Sequence, residues 1–281
     1  MKITIVGASG FIGRHVSAAL RERGDTVTEV SLRDPAAAAA ACEGADAVVN
    51  LAGAPVAQRW SAKVKAAIRS SRIDAPGVLL AGIAKLTKKP AAYISASAIG
   101  YYGTSDDATF TESSAPGSGF LAEVCVAWEA TAKRAESLGM RVAYVRTGLV
   151  LGTDGGALAA LLPLFRLGLG GIVASGTQWY SWVHIDDVVG LYLHALDGAE
   201  GPLNATAPVP VRNAEFTLAL AHALHRPSLF PAPRFAIGLV LGEAATVVAD
   251  GQRVVPERAE GTGYRFRYRT IGDALTALFG A

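Results

Sequence analysis

The first apolar run, Lys2–Val6, breaks into Gly7-Ala8-Ser9-Gly10-Phe11-Ile12-Gly13, and a helical stretch, Gly10–Arg23, starts inside that turn. A strand that passes to a helix through spaced glycines has few ways to fold. Glycine permits the tight turn and a close approach of backbone, and the new helix leaves free N–H groups at its positive dipole end. The alternation then continues. Thr26–Ser31, Ala47–Leu51, Ala92–Ser97 and Arg141–Arg146 read as strands. Pro35–Cys42, Ser61–Lys85 with a break at Asp74-Ala75-Pro76, and Phe120–Leu138 closed by Gly139 read as helices. Strand and helix in alternation predict an α/β fold, a Rossmann-type doubly wound parallel sheet covered on both faces.

Beyond Gly152 the pattern loosens and Gly and Pro become dense. Helices remain legible at Asp186–Leu196, Asn213–Leu224, Phe235–Val248 and Ile271–Phe279. The division expected is a dinucleotide-binding domain over 1–152, to which the chain returns in part, and a smaller mixed C-terminal substrate lobe over 153–281. Tyr264-Arg265-Phe266-Arg267-Tyr268-Arg269 alternates like an edge strand, aromatics on one face and arginines on the other.

Composition narrows the function. Of 281 residues 51% are hydrophobic and 18% charged, against about 25% charged in average proteins. That apolar excess fits strands buried on both faces and excludes disorder as the main theme. It does not fit a membrane span: the most apolar stretch, around Gly155–Ala174, holds Pro163 and Arg166, so its runs fall short of the ~20 residues required. The N-terminal run is likewise too short for a signal peptide. A net charge of +2 argues against nucleic acid as a partner, since no basic stripe stands out. Two cysteines, Cys42 and Cys125, suit a cytoplasmic, reducing setting and supply neither a disulfide framework nor metal-ligand spacing.

The turn sits where a dinucleotide's pyrophosphate binds, between strand and helix in a βαβ unit. An NAD binder carries a carboxylate about 20 residues on, for the ribose 2′-OH. Here Ser31-Leu32-Arg33 ends the second strand. A guanidinium pairs with a 2′-phosphate, so the tip favours NADP over NAD, with Arg14 as a second positive group. The other reading of Arg33 is a solvated loop charge.

These residues carry a resemblance. Gly7–Gly13, Asn50-Leu51-Ala52-Gly53 and Ser95-Ala96-Ser97-Ala98-Ile99-Gly100-Tyr101-Tyr102-Gly103 resemble the extended short-chain dehydrogenase/reductase superfamily. More narrowly, the chain is similar to its atypical branch of epimerase family proteins, sugar-nucleotide epimerase-like and NAD(P)-dependent. Arg59-Trp60, Ser71-Arg72-Ile73, Trp179–Asp187, Gly242-Glu243 and Gln252–Pro256 carry the narrower match. The resemblance implies a cofactor site lined by Gly7, Ser9, Gly10, Phe11, Ile12, Gly13, Leu51, Ala52, Gly53, Arg72 and Ser95. Arg146, Gly148 and Leu149 would border the nicotinamide, and Ser97 would orient the reacting substrate oxygen. A homodimer is expected by the same analogy.

The chain departs from the pattern at the proton relay. Extended members place Tyr-x-x-x-Lys on the helix after the serine. Counting back 17 residues from Arg146 puts Cys125 at the tyrosine and Glu129 at the lysine position. A glutamate raises a neighbouring thiol's pKa where a lysine lowers it, so Cys125 is not expected to act as a nucleophile. Glu129 reads either as a partner of Lys133 one helical turn on or as an acceptor at the cofactor. Tyr101 and Tyr102 stand in for the missing tyrosine, or else line the cleft.

Trp60, Trp182 and Arg253 are the candidate substrate contacts, Arg253 because its planar fork of donors suits a carboxylate or phosphate; an interdomain ion pair is its rival reading. Asp186 or Asp187 reads as a helix cap, and His184 as a core histidine rather than a cleft residue. No metal is expected. Two functions follow. One is an NADP-dependent oxidoreductase or epimerase acting on a small oxygenated substrate, a nucleotide sugar among the candidates. The other is a catalytically silent NADP(H) sensor or interaction module.

Overall fold

The computed structural model describes residues 1–280. In chain order its first half runs β1 (Lys2–Val6), α1 (Phe11–Glu22), β2 (Thr26–Val30), α2 (Pro35–Ala40), β3 (Ala47–Asn50), α3 (Ala62–Arg72), α4 (Asp74–Ile83), β4 (Ala92–Ala98), β5 (Thr109–Phe110), α5 (Phe120–Lys133) and β6 (Arg141–Thr147). There follow β7 (Leu149–Leu151), α6 (Gly156–Arg166), β8 (Trp179–Tyr180), β9 (Trp182–His184), α7 (Ile185–Leu196), β10 (Gly201–Ala205), β11 (Val211–Arg212), α8 (Asn213–Ala223), α9 (Arg234–Leu241), α10 (Thr246–Ala249), β12 (Arg253–Val254), α11 (Glu257–Gly261) and α12 (Ile271–Phe279).

Six strands form one parallel sheet in the order β10-β6-β4-β3-β1-β2. Successive residues of each strand feed opposite faces. Ile3, Ile5, Val49, Ile94 and Val145 enter one apolar cluster, which α1 and α7 cover. Val6, Val48, Tyr93, Val142 and Tyr144 enter the other, under α2, α4 and α5. Burial on both faces is why the central strands read as largely apolar runs; β2, at the edge, is mostly exposed. Strand order reverses at β1, which lies between β2 and β3. The crevice outside the carboxyl ends at such a point is where open α/β sheets bind ligands. β10 and α7 lie beyond residue 152 and still belong to this unit. A third cluster, from α6, α8 and α12 with Trp182 and Tyr180, makes the smaller lobe.

Three local expectations are corrected. The segment 264–269 is not a strand. Its backbone is held instead by the buried Asp187 carboxylate, which accepts from Arg267 N (2.8 Å), Tyr268 N (3.0 Å) and Tyr264 Oη (3.0 Å). A side chain has taken the place of a strand partner, which alternation of residue types does not reveal. Neither Asp186 nor Asp187 caps α7: the His184 Nδ1 atom accepts from Asp186 N at 3.1 Å. The stretch 235–248 is not one helix either, because Gly242 turns left-handed at φ 59° and separates α9 from the next turns. Asp187→Ala should cost about 2–4 kcal/mol by orphaning these donors, read as a lower urea midpoint; an unchanged midpoint would remove Asp187 as the organiser of 264–268.

Candidate functional site

The Gly7–Gly13 turn lies at the reversal point. Gly7 sits at φ +85°, and a Cβ there would lie 2.8 Å from Ala52 N. At Gly13 a Cβ would lie 2.3 Å from Gly7 O. Both glycines are therefore fixed by packing, one against the Leu51-Ala52 segment after β3 and the other against the turn itself. Helix α1 opens on Gly10 with no side-chain cap, so the N–H groups of its first turn face outward. With the dipole of a 12-residue helix behind them, they form a cradle for a diphosphate.

At the tip of β2, Arg33 is exposed, its own N–H taken up by Ser31 Oγ at 3.2 Å. The two nearby carboxylates are committed elsewhere. Asp34 caps α2 by accepting from Ala37 N, and Glu29 pairs with Arg21 at 2.6 Å. Arg14 does not join Arg33: it pairs with Asp154 at 2.8 Å, and His15 contacts the same carboxylate. On the far side of the turn, Gly53 is pressed by the Arg72 guanidinium, whose carbon lies 2.9 Å from where a Cβ would stand. Arg72 Nη1 donates to Ala54 O at 3.0 Å, and the guanidinium lies over the Trp128 ring at 4.9 Å. Burial lowers its pKa, with the neighbouring Cys125 acting in the opposite direction.

Deeper in the crevice, Ser97 on β4 pairs in register with Arg146 on β6. Ser97 Oγ donates to Glu129 Oε1 at 2.6 Å. Arg146 closes on the same carboxylate with two bonds, Nε to Oε1 at 2.8 Å and Nη2 to Oε2 at 2.7 Å. Burial opposes the Arg146 charge, but the bond and attraction to Glu129 outweigh it and raise the pKa. Glu129 thus pairs with Arg146 rather than with Lys133, and Arg146 serves Glu129 rather than standing open at the strand end. Cys125, one helical turn before Glu129, is a thiol pushed up to about 12, by burial first and then by Glu129.

Several expected contacts are placed differently. Tyr102 is buried; it accepts from Arg146 Nη1 at 2.9 Å and donates to Asn204 Oδ1 at 2.7 Å. Burial, partly offset by Arg146, pushes its phenol up to about 12, and both of its hydrogen bonds are made within the protein. Tyr101 stays half-buried, with the Arg146 guanidinium 3.6 Å from its ring centre. Ser95 is wholly buried and bonds to Ala96 O, so it lines no cleft. Trp182 is a core residue whose indole donates to Val209 O. Gly148 presses on Ser181 O, and Leu149 packs on the smaller lobe. His184 is buried as a core residue, its pKa lowered by burial despite Asp186 and Asp187.

Arg253 lies exposed 5.0 Å from the Trp179 ring centre, next to Gln252, which donates to Ile99 O two residues past Ser97. Trp60 leans edge-on against Phe120 at 5.1 Å. Its neighbours tie the lobes together: Arg59 donates to Leu239 O and Lys65 pairs with Glu243. The Arg59 side chain also lies 3.7 Å from the Cβ position of Gly242, a closeness that their separation in sequence does not reveal. Among the described residues no helix is long and apolar enough to cross a membrane.

A dinucleotide cradle on a reversed parallel sheet, with a serine at the end of the fourth strand, defines a Rossmann-type protein with a second, smaller lobe. Residues 3–206 match the model of the NAD dependent epimerase/dehydratase family, and the chain belongs to that family. Residues 232–278 match a domain of unknown function. A chloroplastic homolog of epimerase family protein SDR39U1 from Arabidopsis thaliana is 40% identical, over 99% of this chain and 86% of its own length. Epimerase family protein YfhF of Bacillus subtilis is 35% identical over 99% and 98%. The crystal structure of human epimerase family protein SDR39U1 (isoform 2) with NADPH superposes at TM-score 0.93, with 33% identity, covering 100% of this chain and 99% of that one.

Proposed function

We propose that this chain binds NADP(H) across the Gly7–Gly13 turn and acts as an oxidoreductase or epimerase-type enzyme on a small oxygenated substrate lodged against Ser97. One observation carries the cofactor choice. At the β2 tip Arg33 stands open while Asp34 and Glu29 are both occupied, an arrangement suited to a 2′-phosphate rather than a free 2′-OH. The NADPH in the human relative's structure supports the same choice. Gly10, Phe11, Ile12 and Gly13 would hold the pyrophosphate, with Leu51, Ala52 and Gly53 alongside. Bound there, the nicotinamide supplies a hydride acceptor or donor. Ser97 orients the substrate oxygen, Tyr101 flanks it, and Trp60 and Arg253 bound the cleft from either side. A nucleotide sugar fits Arg253 as an anion reader. Two buried free thiols, Cys42 and Cys125, accord with a cytoplasmic setting.

A second reading, a silent NADP(H) sensor, is favoured by Cys125 and Glu129 in the places of the usual relay pair. Calorimetry tests the cofactor. Wild type should bind NADPH in preference to NADH, and Arg33→Ala should weaken NADPH by about tenfold with NADH unmoved. An unchanged NADPH/NADH ratio removes Arg33 from the site. Turnover on a panel of sugar nucleotides and carbonyl compounds, followed by NADPH absorbance and product isomers, separates enzyme from sensor.

A further inference from the structure

Ser97 owns one proton, and its use is settled by what lies behind it. The Glu129 carboxylate accepts from Ser97 Oγ at 2.6 Å and from Arg146 Nε and Nη2 at 2.8 and 2.7 Å. An arginine in a protein does not give up its proton, and an ionised carboxylate only accepts. Arg146 is itself fixed from its other edge, donating to Tyr102 Oη at 2.9 Å, whose proton goes to Asn204. Every polarity in the chain Asn204–Tyr102–Arg146–Glu129–Ser97 is therefore set, and it leaves Ser97, 3% exposed, with lone pairs alone to offer a ligand that reaches it.

We infer that Ser97 is a hydroxyl reader: the Glu129–Arg146 pair makes it an acceptor, so the site selects a ligand carrying an O–H donor, an alcohol, over the matching ketone. Glu129 is a positioning residue in this scheme, since it acts through Ser97. Tyr101, stacked on Arg146, is the other hydroxyl beside this oxygen, and the preference should persist in Tyr101→Phe; the two remaining candidates are spent. Cys125 is buried beside Glu129, and Tyr102 spends its proton on Asn204. A ketone oxygen placed on Ser97 would face lone pair to lone pair, and leaving such a contact unpaired in a closed site is what gives hydrogen-bonding sites their discrimination. The inference rests on the reading that substrate oxygen meets Ser97, and it adds the redox state of the group that the site recognises.

The test uses matched pairs, cyclohexanol against cyclohexanone and glycerol against dihydroxyacetone, titrated into the NADPH-loaded protein and followed by the Ser97 amide resonance. In wild type the alcohol should bind about tenfold or more tighter than its ketone. Ser97→Ala should level the two. Glu129→Leu removes the Oε1 acceptor that Ser97 shares with Arg146 Nε and so frees the serine proton; the preference should then collapse or reverse. Equal binding in wild type, a ketone preference, a preference that survives Ser97→Ala, or no perturbation of Ser97 by any pair member overturns the inference. Glu129→Ala, folded as judged by circular dichroism, covers a Leu variant that fails to fold and should likewise lose the preference. Cofactor binding is read separately by calorimetry, so a failed pair test with intact NADPH binding refutes the hydroxyl reading alone.

Discussion

Arg146→Met should lower stability by about 3–5 kcal/mol, the range for breaking a buried ion pair from one side. The guanidinium is nearly closed off, with 4% of its side chain exposed against 11% for Glu129. Its loss strands the Glu129 carboxylate with a single donor, Ser97. It also takes one hydrogen bond from Tyr102 and the cation from above the Tyr101 ring. Burying a charge without its counter-charge is the dominant cost; the lost packing is partly made up by the methionine stem. Removing both charges tests that assignment. Arg146→Met combined with Glu129→Leu should recover most of the loss, because an apolar pair no longer carries the desolvation penalty. Urea denaturation of the two single variants and the double variant measures the coupling. Additive losses would mean that the pair is not the source of the effect.

Gly13→Ala should abolish NADPH binding, by more than about 100-fold or about 2.7 kcal/mol, with the fold retained by circular dichroism. The added carbon would stand 2.3 Å from Gly7 O and 2.8 Å from Ala8 Cα, both rigid. The turn and the first turn of α1 must separate to admit it, and the outward N–H groups then lose their common focus. The contrast is Gly139→Ala. Gly139 lies in the left-handed region, at φ +83°, and nothing lies within 4 Å of its Cβ position. That variant should lose some stability and no cofactor affinity. Equal NADPH binding by Gly13→Ala and wild type would show that the turn is not the diphosphate cradle.

The sheet was legible because its information is local. Alternating strand and helix runs, with mostly apolar residues in the central strands, leave little choice but a parallel sheet covered on both faces. The break at Asp74-Ala75-Pro76 appeared as the junction of α3 and α4. Spacing also placed Cys125 and Glu129 on the helix beside Ser97, and 17 residues do separate Glu129 from the Arg146 it binds. What spacing left open was the partner. Lys133 was as good a candidate in sequence, and only the packing of α5 on β6 turned Glu129 toward Arg146. The same limit explains Trp182 and Tyr102. An aromatic near a cleft motif reads alike whether it faces ligand or core; the smaller lobe packed Trp182 inward, and Arg146 and Asn204 on the main sheet took up Tyr102. It explains 264–269 as well: alternation suggested an edge strand, but a side chain from α7 supplied the acceptors that a neighbouring strand would have given.

The sequence by itself therefore determined the doubly wound sheet, the glycine turn and the absence of the usual tyrosine and lysine, since periodicity, glycine sterics and residue identity are properties of neighbours in the chain. Tertiary structure alone decided where the protons and charges point. Ser97 with Tyr102, Glu129, Arg146 and Asn204 come from four separate segments, and a hydrogen bond has a direction only when donor and acceptor have been brought together.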